Sequence, residues 1–112
     1  MPEPGYTPHI WNRSFWIENT DPESLKARFA DNLKAAGFTI LAFSEHHFQP
    51  QGYTALWLLG ESHLALHTFP ETGKSYLELS SCNEGMLLRF MDLCEKEFVL
   101  IPHSPEPQKS IL

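Results

Sequence analysis

Residues 53–81 read YTALWLLGESHLALHTFPETGKSYLELSS, and this stretch decides the fold. It divides into the segments 53–59, 63–69 and 74–81, each rich in aromatic, aliphatic or threonine residues and bounded by Gly or Pro. Segments of this kind are typical of β-strands joined by short turns. Residues 38–44 have the same character. We therefore predict four consecutive strands, mainly antiparallel.

Helical patterns flank these strands. Thr20 followed by Glu23 is typical of a capping box, Pro22 suits a first helical turn, and apolar residues recur every four positions until Gly37. The other predicted elements are a helix from about Glu84 to Lys96 and strands at 9–17 and 98–101. This order predicts an α+β fold, a two-layer sandwich with a mainly antiparallel sheet and two helices on one face.

The second face of the sheet also carries apolar side chains. Leu, Trp and Phe occur at both alternating positions of the central strands. Because successive strand residues point to opposite faces, the face without helices would stay apolar. We expect a partner subunit or a substrate cavity to cover it.

Length and charge restrict the class of protein. A chain of 112 residues predicts a single domain, here 9–101, with Pro-containing tails at 1–8 and 102–112. The net charge of -6 argues against a nucleic-acid or anionic-membrane surface and suits a small cationic substrate. No apolar run is long enough to span a membrane and the start does not resemble a signal peptide. We expect a cytoplasmic protein with both cysteines reduced.

Groups capable of chemistry are concentrated around residues 60–71. An isolated serine or histidine in a strand is most often structural, but this segment combines a hydroxyl, two imidazoles and carboxylates, with a further hydroxyl upstream and a thiol downstream. Such a combination indicates a reaction centre. Its members are Glu61, Ser62, His63, His67, Glu71, Thr54 and Cys82.

Two simpler interpretations fail. His63 and His67 are four residues apart on a predicted strand, roughly 13 Å, whereas zinc needs each nitrogen at about 2 Å, so we expect no metal site. The run Gly60-Glu61-Ser62-His63-Leu64 is similar to a hydrolase nucleophile elbow, but Leu64 stands where the second glycine is required.

Four sequence features together resemble the bacterial S-adenosylmethionine decarboxylases. They are HFQPQGYT at 47–54, ESH at 61–63, HTFPE at 67–71, and Cys82. The resemblance implies a proenzyme that cleaves itself between Glu61 and Ser62 and converts Ser62 into a covalent pyruvoyl cofactor. Thr54 and His67 match the family's processing positions.

For the mature enzyme, the resemblance implies that the pyruvoyl group forms a Schiff base with the amine of S-adenosylmethionine, and that the product feeds spermidine synthesis. Cys82 aligns with the proton donor, and His67 is also implied as catalytic. Phe48 matches the aromatic that stacks on adenine, and Glu71 is a substrate-binding candidate by position.

Strand alternation poses a geometric problem, because it places Ser62 and His67 on opposite faces. Either the chain bends near Gly60, or His67 serves a site across a subunit boundary. The family builds its sites at a dimer interface, so we expect a homodimer.

The chain also departs from the family. It has Ser81-Cys82-Asn83 where Thr-Cys-Gly is usual, and Tyr76 and Glu78 in a strand that is usually rich in alanine with an aspartate. Two alternatives therefore stay open: the same chemistry on ornithine or arginine, or a paralogue that no longer processes and acts as a binding or regulatory subunit.

Overall fold

A computed structural model describes residues 9–103 of the chain. The predicted tail 1–8 and residues 104–112 of the second tail lie outside this range. The elements in chain order are β1 Trp11–Ile17, α1 Pro22–Ala36, β2 Ile40–His47, β3 Tyr53–Leu59, β4 Ser62–Phe69, β5 Lys74–Ser81, α2 Glu84–Glu97 and β6 Ile101–Pro102.

The six strands form one antiparallel sheet in the order β2-β3-β4-β5-β1-β6. Strands β2 to β5 follow one another because short turns connect neighbours in an antiparallel sheet. β1 then pairs with β5, which brings the start of the chain beside the end of the central segment. The sheet and its two helices confirm the predicted α+β class.

The hydrophobic core lies between the helices and one face of the sheet. Alternate residues of the central strands point into it: Leu64 and Leu66 on β4 are fully buried opposite Leu79 and Leu77 on β5. The helices contribute a matching apolar stripe. Its fully buried members are Leu25, Phe29, Leu33 and Ala36 of α1, and Leu87, Phe90 and Cys94 of α2.

The start of α1 differs from the prediction. The N-cap is Asp21, whose Oδ2 accepts a hydrogen bond from the Ser24 backbone N–H at 2.9 Å. The capping box predicted at Thr20 and Glu23 is therefore wrong. Pro22 occupies the first helical position, which suits its fixed φ, and this makes the preceding residue the cap.

Three strand starts also differ from the prediction, two of them because helix ends use residues that were predicted as strand. The Phe38 backbone N–H donates to Leu33 O at 3.0 Å and completes the C-terminus of α1, so β2 runs from Ile40 to His47. The Phe98 backbone N–H likewise donates to Cys94 O at 2.8 Å, and β6 begins only at Ile101. The first strand begins at Trp11, two residues later than predicted.

The opposite face, called the open face from here on, is covered by no helix of residues 9–103. Leu56 and Leu58 of β3 point to this face and are 47% and 53% exposed. The predicted uncovered apolar face is thus present. Within residues 9–103 no helix has the length and apolar character needed to cross a membrane.

Candidate functional site

The turn between β3 and β4 holds an unusual backbone conformation. Glu61 has a φ of 56°, and it is the one residue other than glycine with positive φ in the part of the chain that the structure describes. A left-handed conformation costs a residue with a side chain about 1–2 kcal/mol. Backbone strain of this kind concentrates at functional sites. It lies here on the residue that precedes Ser62.

Ser62 begins β4, pairs with Leu59 across the turn, and is only 8% exposed. Its side chain faces the helix side of the sheet, where the hydroxyl donates to Ser81 Oγ at 3.0 Å. Cys82 directly follows Ser81 and is exposed. The predicted nucleophile and proton donor therefore lie at the same end of the sheet.

Ser81 was not predicted as a site residue. Its own hydroxyl donates to the Asn83 carbonyl at 3.2 Å and accepts from the Asn83 backbone N–H at 2.9 Å. Asn83 is the N-cap of α2. Only the β4–β5 pairing, which sets Ser62 opposite Ser81, could have identified Ser81 as a site residue. That inference requires the strand register, which the sequence did not provide.

The predicted processing residues Thr54 and His67 meet at the other end of β4. They are cross-strand partners on the open face, and Thr54 Oγ1 lies 2.9 Å from His67 Nδ1. Tyr76 is the partner of His67 on β5, and its ring is nearly parallel to the imidazole at 6.5 Å. The His67 ring thus stands between a hydroxyl and an aromatic ring.

A cavity of about 300 Å³ lies beside this pair. The substrate-binding candidates Phe48 and Glu71 line it together with Thr54 and His67. The β2–β3 loop positions Phe48 because its backbone N–H donates to Gly52 O at 2.8 Å, and the φ of 107° at Gly52 favours glycine. Gln51, Thr68 and Phe69 also line it; they belong to the motifs at 47–54 and 67–71, but the sequence had given them no role of their own.

The two groups of residues do not meet within one chain. Ser62 and His67 lie on opposite faces of the same strand, separated by roughly 17 Å along it. The bend considered near Gly60 is absent, because the β3–β4 register runs unbroken from Leu59 and Ser62 to Tyr53 and Thr68. The alternative of a site shared between subunits therefore remains.

Tyr53 also lines the cavity, but its hydroxyl is engaged elsewhere. It donates to Glu45 Oε1 at 2.6 Å, and Lys26 Nζ contacts the same oxygen at 3.1 Å. Burial, together with this carboxylate, raises the pKa of Tyr53 well above its usual range. The hydrogen bond from Tyr53, followed by that from Lys26, lowers the pKa of Glu45. Tyr53 therefore links β3 to β2 through its hydrogen bond to Glu45, and its hydroxyl is not available as a proton donor in the cavity.

Other potential sites carry less chemistry. No cluster of three or more His, Cys, Asp or Glu side chains suited to a metal occurs in residues 9–103. A second cavity of about 300 Å³ lies on the β2–β3 side, with Leu56, Leu58 and His63 among its lining residues, and its walls are almost entirely apolar. Of the predicted reaction centre it contains His63 alone, and it contains none of Ser62, His67 and Cys82.

Comparisons with known proteins show which sequences this chain is similar to. The chain is 42% identical over 74 residues to the S-adenosylmethionine decarboxylase proenzyme of Brevibacillus brevis, covering 66% of this chain and 55% of that protein. It is 41% identical over 64 residues to the proenzyme of the same name from Synechococcus sp., covering 57% and 50%. The chain spans about half the length of these relatives.

The fold is also similar to a solved structure. The crystal structure of the adenosylmethionine decarboxylase from Aquifex aeolicus matches with a TM-score of 0.71 at 19% identity, covering 93% of this chain and all of that one. The model of the S-adenosylmethionine decarboxylase family matches residues 18–100, most of the chain. The chain belongs to the S-adenosylmethionine decarboxylase family.

Proposed function

We propose that the chain is a precursor that cleaves itself between Glu61 and Ser62, and that the product decarboxylates S-adenosylmethionine. Membership of the family supports the reaction class. The observation that carries the proposal is the left-handed Glu61 immediately before a nearly buried Ser62 whose hydroxyl is already hydrogen-bonded.

In the first step the Ser62 hydroxyl oxygen attacks the carbonyl carbon of Glu61. The C–N bond of that peptide breaks, the hydroxyl proton ends on the freed nitrogen, and the peptide becomes an ester. Strain at Glu61 favours this step, because the left-handed conformation raises the energy of the intact turn.

In the second step a base removes the α-proton of residue 62. The bond between Cβ and Oγ of that residue then breaks, and Glu61 leaves as a carboxylate that keeps the oxygen. The resulting dehydroalanine takes up water and releases ammonia, which leaves a pyruvoyl group at the start of the second chain. His67 is our candidate for the base, with its ring held by Thr54 at 2.9 Å. An imidazole is the side chain best suited to proton transfer near neutral pH.

The pyruvoyl group supplies an electron sink for the charge left when the substrate loses carbon dioxide. Around it, we assign Cys82 as the donor of a proton to the substrate carbon, because this exposed thiol directly follows Ser81, the partner of Ser62. Phe48 offers a ring to the adenine and Glu71 a carboxylate to the cationic substrate, and both border the cavity beside His67.

The proposed site requires two chains. His67 and its cavity are roughly 17 Å from Ser62 of the same chain. A symmetric homodimer would bring the Ser62 end of one subunit to the His67 end of the other and would form two equivalent sites. The exposed Leu56 and Leu58 give the open face an apolar surface for such contact.

Intact-protein mass spectrometry of the purified chain tests the first part of the proposal. We expect two fragments, 1–61 and 62–112, the latter beginning with a pyruvoyl group, and a single uncut mass for Ser62→Ala. An uncut wild-type chain after prolonged incubation would refute self-cleavage and favour the regulatory-subunit alternative.

The substrate needs a separate measurement. Release of labelled carbon dioxide from carboxyl-labelled S-adenosylmethionine should greatly exceed release from ornithine or arginine. A preference for either amino acid would keep the chemistry and overturn the substrate assignment.

A further inference from the structure

Resting on the proposed self-cleavage, we propose that Ser81 is a positioning residue that orients the Ser62 hydroxyl for attack on Glu61. Ser81 Oγ lies 3.0 Å from Ser62 Oγ and accepts its proton in a hydrogen bond. Because the proton is directed at Ser81, the lone pairs of Ser62 are free to point elsewhere. Ser81 therefore selects the rotamer from which the first step starts.

The position of Ser81 is itself fixed by backbone atoms. Its hydroxyl donates to the Asn83 carbonyl at 3.2 Å and accepts from the Asn83 N–H at 2.9 Å. Asn83 is in turn held in place as the cap of α2, where its side chain accepts from the Met86 N–H at 3.0 Å. Ser81 thus links the nucleophile to a rigid helix end.

Burial makes this contact difficult to replace. Ser81 is 1% exposed and Ser62 is 8% exposed. A buried hydroxyl that loses its acceptor cannot readily turn to bulk water, so it adopts another rotamer or stays unpaired. In either case the Ser62 oxygen is no longer held in its starting geometry for the acyl shift.

The test compares the rate of precursor cleavage in four freshly made chains by intact mass. Ser81→Ala should cleave roughly tenfold more slowly than wild type, since one neutral hydrogen bond is worth about a factor of ten at most. Ser81→Thr keeps the hydroxyl and should restore the rate to within about twofold. Ser80→Ala is the matched control, because Ser80 points to the other face and should leave the rate unchanged.

Incubation with hydroxylamine identifies which step of the cleavage the loss of Ser81 slows. Hydroxylamine cleaves esters, so a chain stalled after the first step would be cut between Glu61 and residue 62. Since Ser81 acts before the ester forms, hydroxylamine should add no cleavage to that which the Ser81→Ala chain undergoes without it. Accumulation of a hydroxylamine-sensitive chain would overturn the assignment.

The outcomes separate this inference from the function on which it rests. Cleavage of Ser81→Ala at the wild-type rate would overturn the role of Ser81 and leave self-cleavage intact, whereas an uncut wild type would overturn both. If Ser81→Ala fails to fold, Ser81→Cys keeps a similar volume with a weaker acceptor. Wild-type cleavage in that variant would also refute the assignment.

Discussion

Co-expression of Ser62→Ala and His67→Ala chains should restore cleavage to chains that are inactive alone. Each variant by itself lacks one group in both sites of a symmetric dimer, so neither should be cut. In the mixed dimer, one site combines Ser62 from the His67→Ala chain with His67 from the Ser62→Ala chain. That site is intact, while the other lacks both groups.

The expected extent of cleavage follows from the geometry. A hydrogen bond or proton transfer needs heavy atoms about 3 Å apart, whereas Ser62 and His67 of one chain lie on opposite faces about 17 Å apart along β4. Assembly within one chain is therefore excluded by distance. Random pairing of equal amounts places about half of the chains in mixed dimers, so about half of the His67→Ala chains should be cut.

Intact mass spectrometry with a different tag on each variant identifies which chain is cut. Fragments should come from the His67→Ala chain alone, and none from Ser62→Ala. The control is each variant expressed separately. If the mixture stays uncut while the wild type is cleaved, the two-subunit site is wrong.

Further predictions concern stability and thiol reactivity. Leu66→Ala should lower the free energy of unfolding by about 2–5 kcal/mol in urea, because Leu66 is fully buried in the central strand, and a loss below about 1 kcal/mol would contradict that packing. Because the pKa of Glu45 is lowered in the folded state, its carboxylate stabilises the fold at any pH above 4.5, the ordinary pKa of a glutamate. This contribution is lost as the pH falls below 4.5 and the carboxylate becomes protonated. Glu45→Gln should accordingly show a smaller fall in urea midpoint on acidification than wild type, and equal falls would remove Glu45 from the acid response. A maleimide should add to the native chain once, at the exposed Cys82, because Cys94 is buried and burial raises the pKa of its thiol to about 12. After denaturation it should add twice. Labelling that persists in native Cys82→Ser would refute this.

Local sequence signals explain much of the fold and part of the site. Strand segments rich in aromatic and branched residues located β3, β4 and β5 to within a residue, and Gly37 ended α1 as predicted. The errors at Phe38 and Phe98 have one cause. Both residues have strand-like side chains, but their backbone N–H groups complete helix ends, and side-chain character does not reveal that use.

The sequence by itself determined the family, the α+β class and the candidate residues, because those depend on residue types and their spacing along the chain. Only the tertiary structure decided that Thr54 and His67 share the open face, that Ser62 points to the core, and that Ser81 is its partner. These facts depend on strand register, since a shift of one residue exchanges the faces of an entire strand. Register is set by turns and packing across the whole sheet, which no single segment encodes.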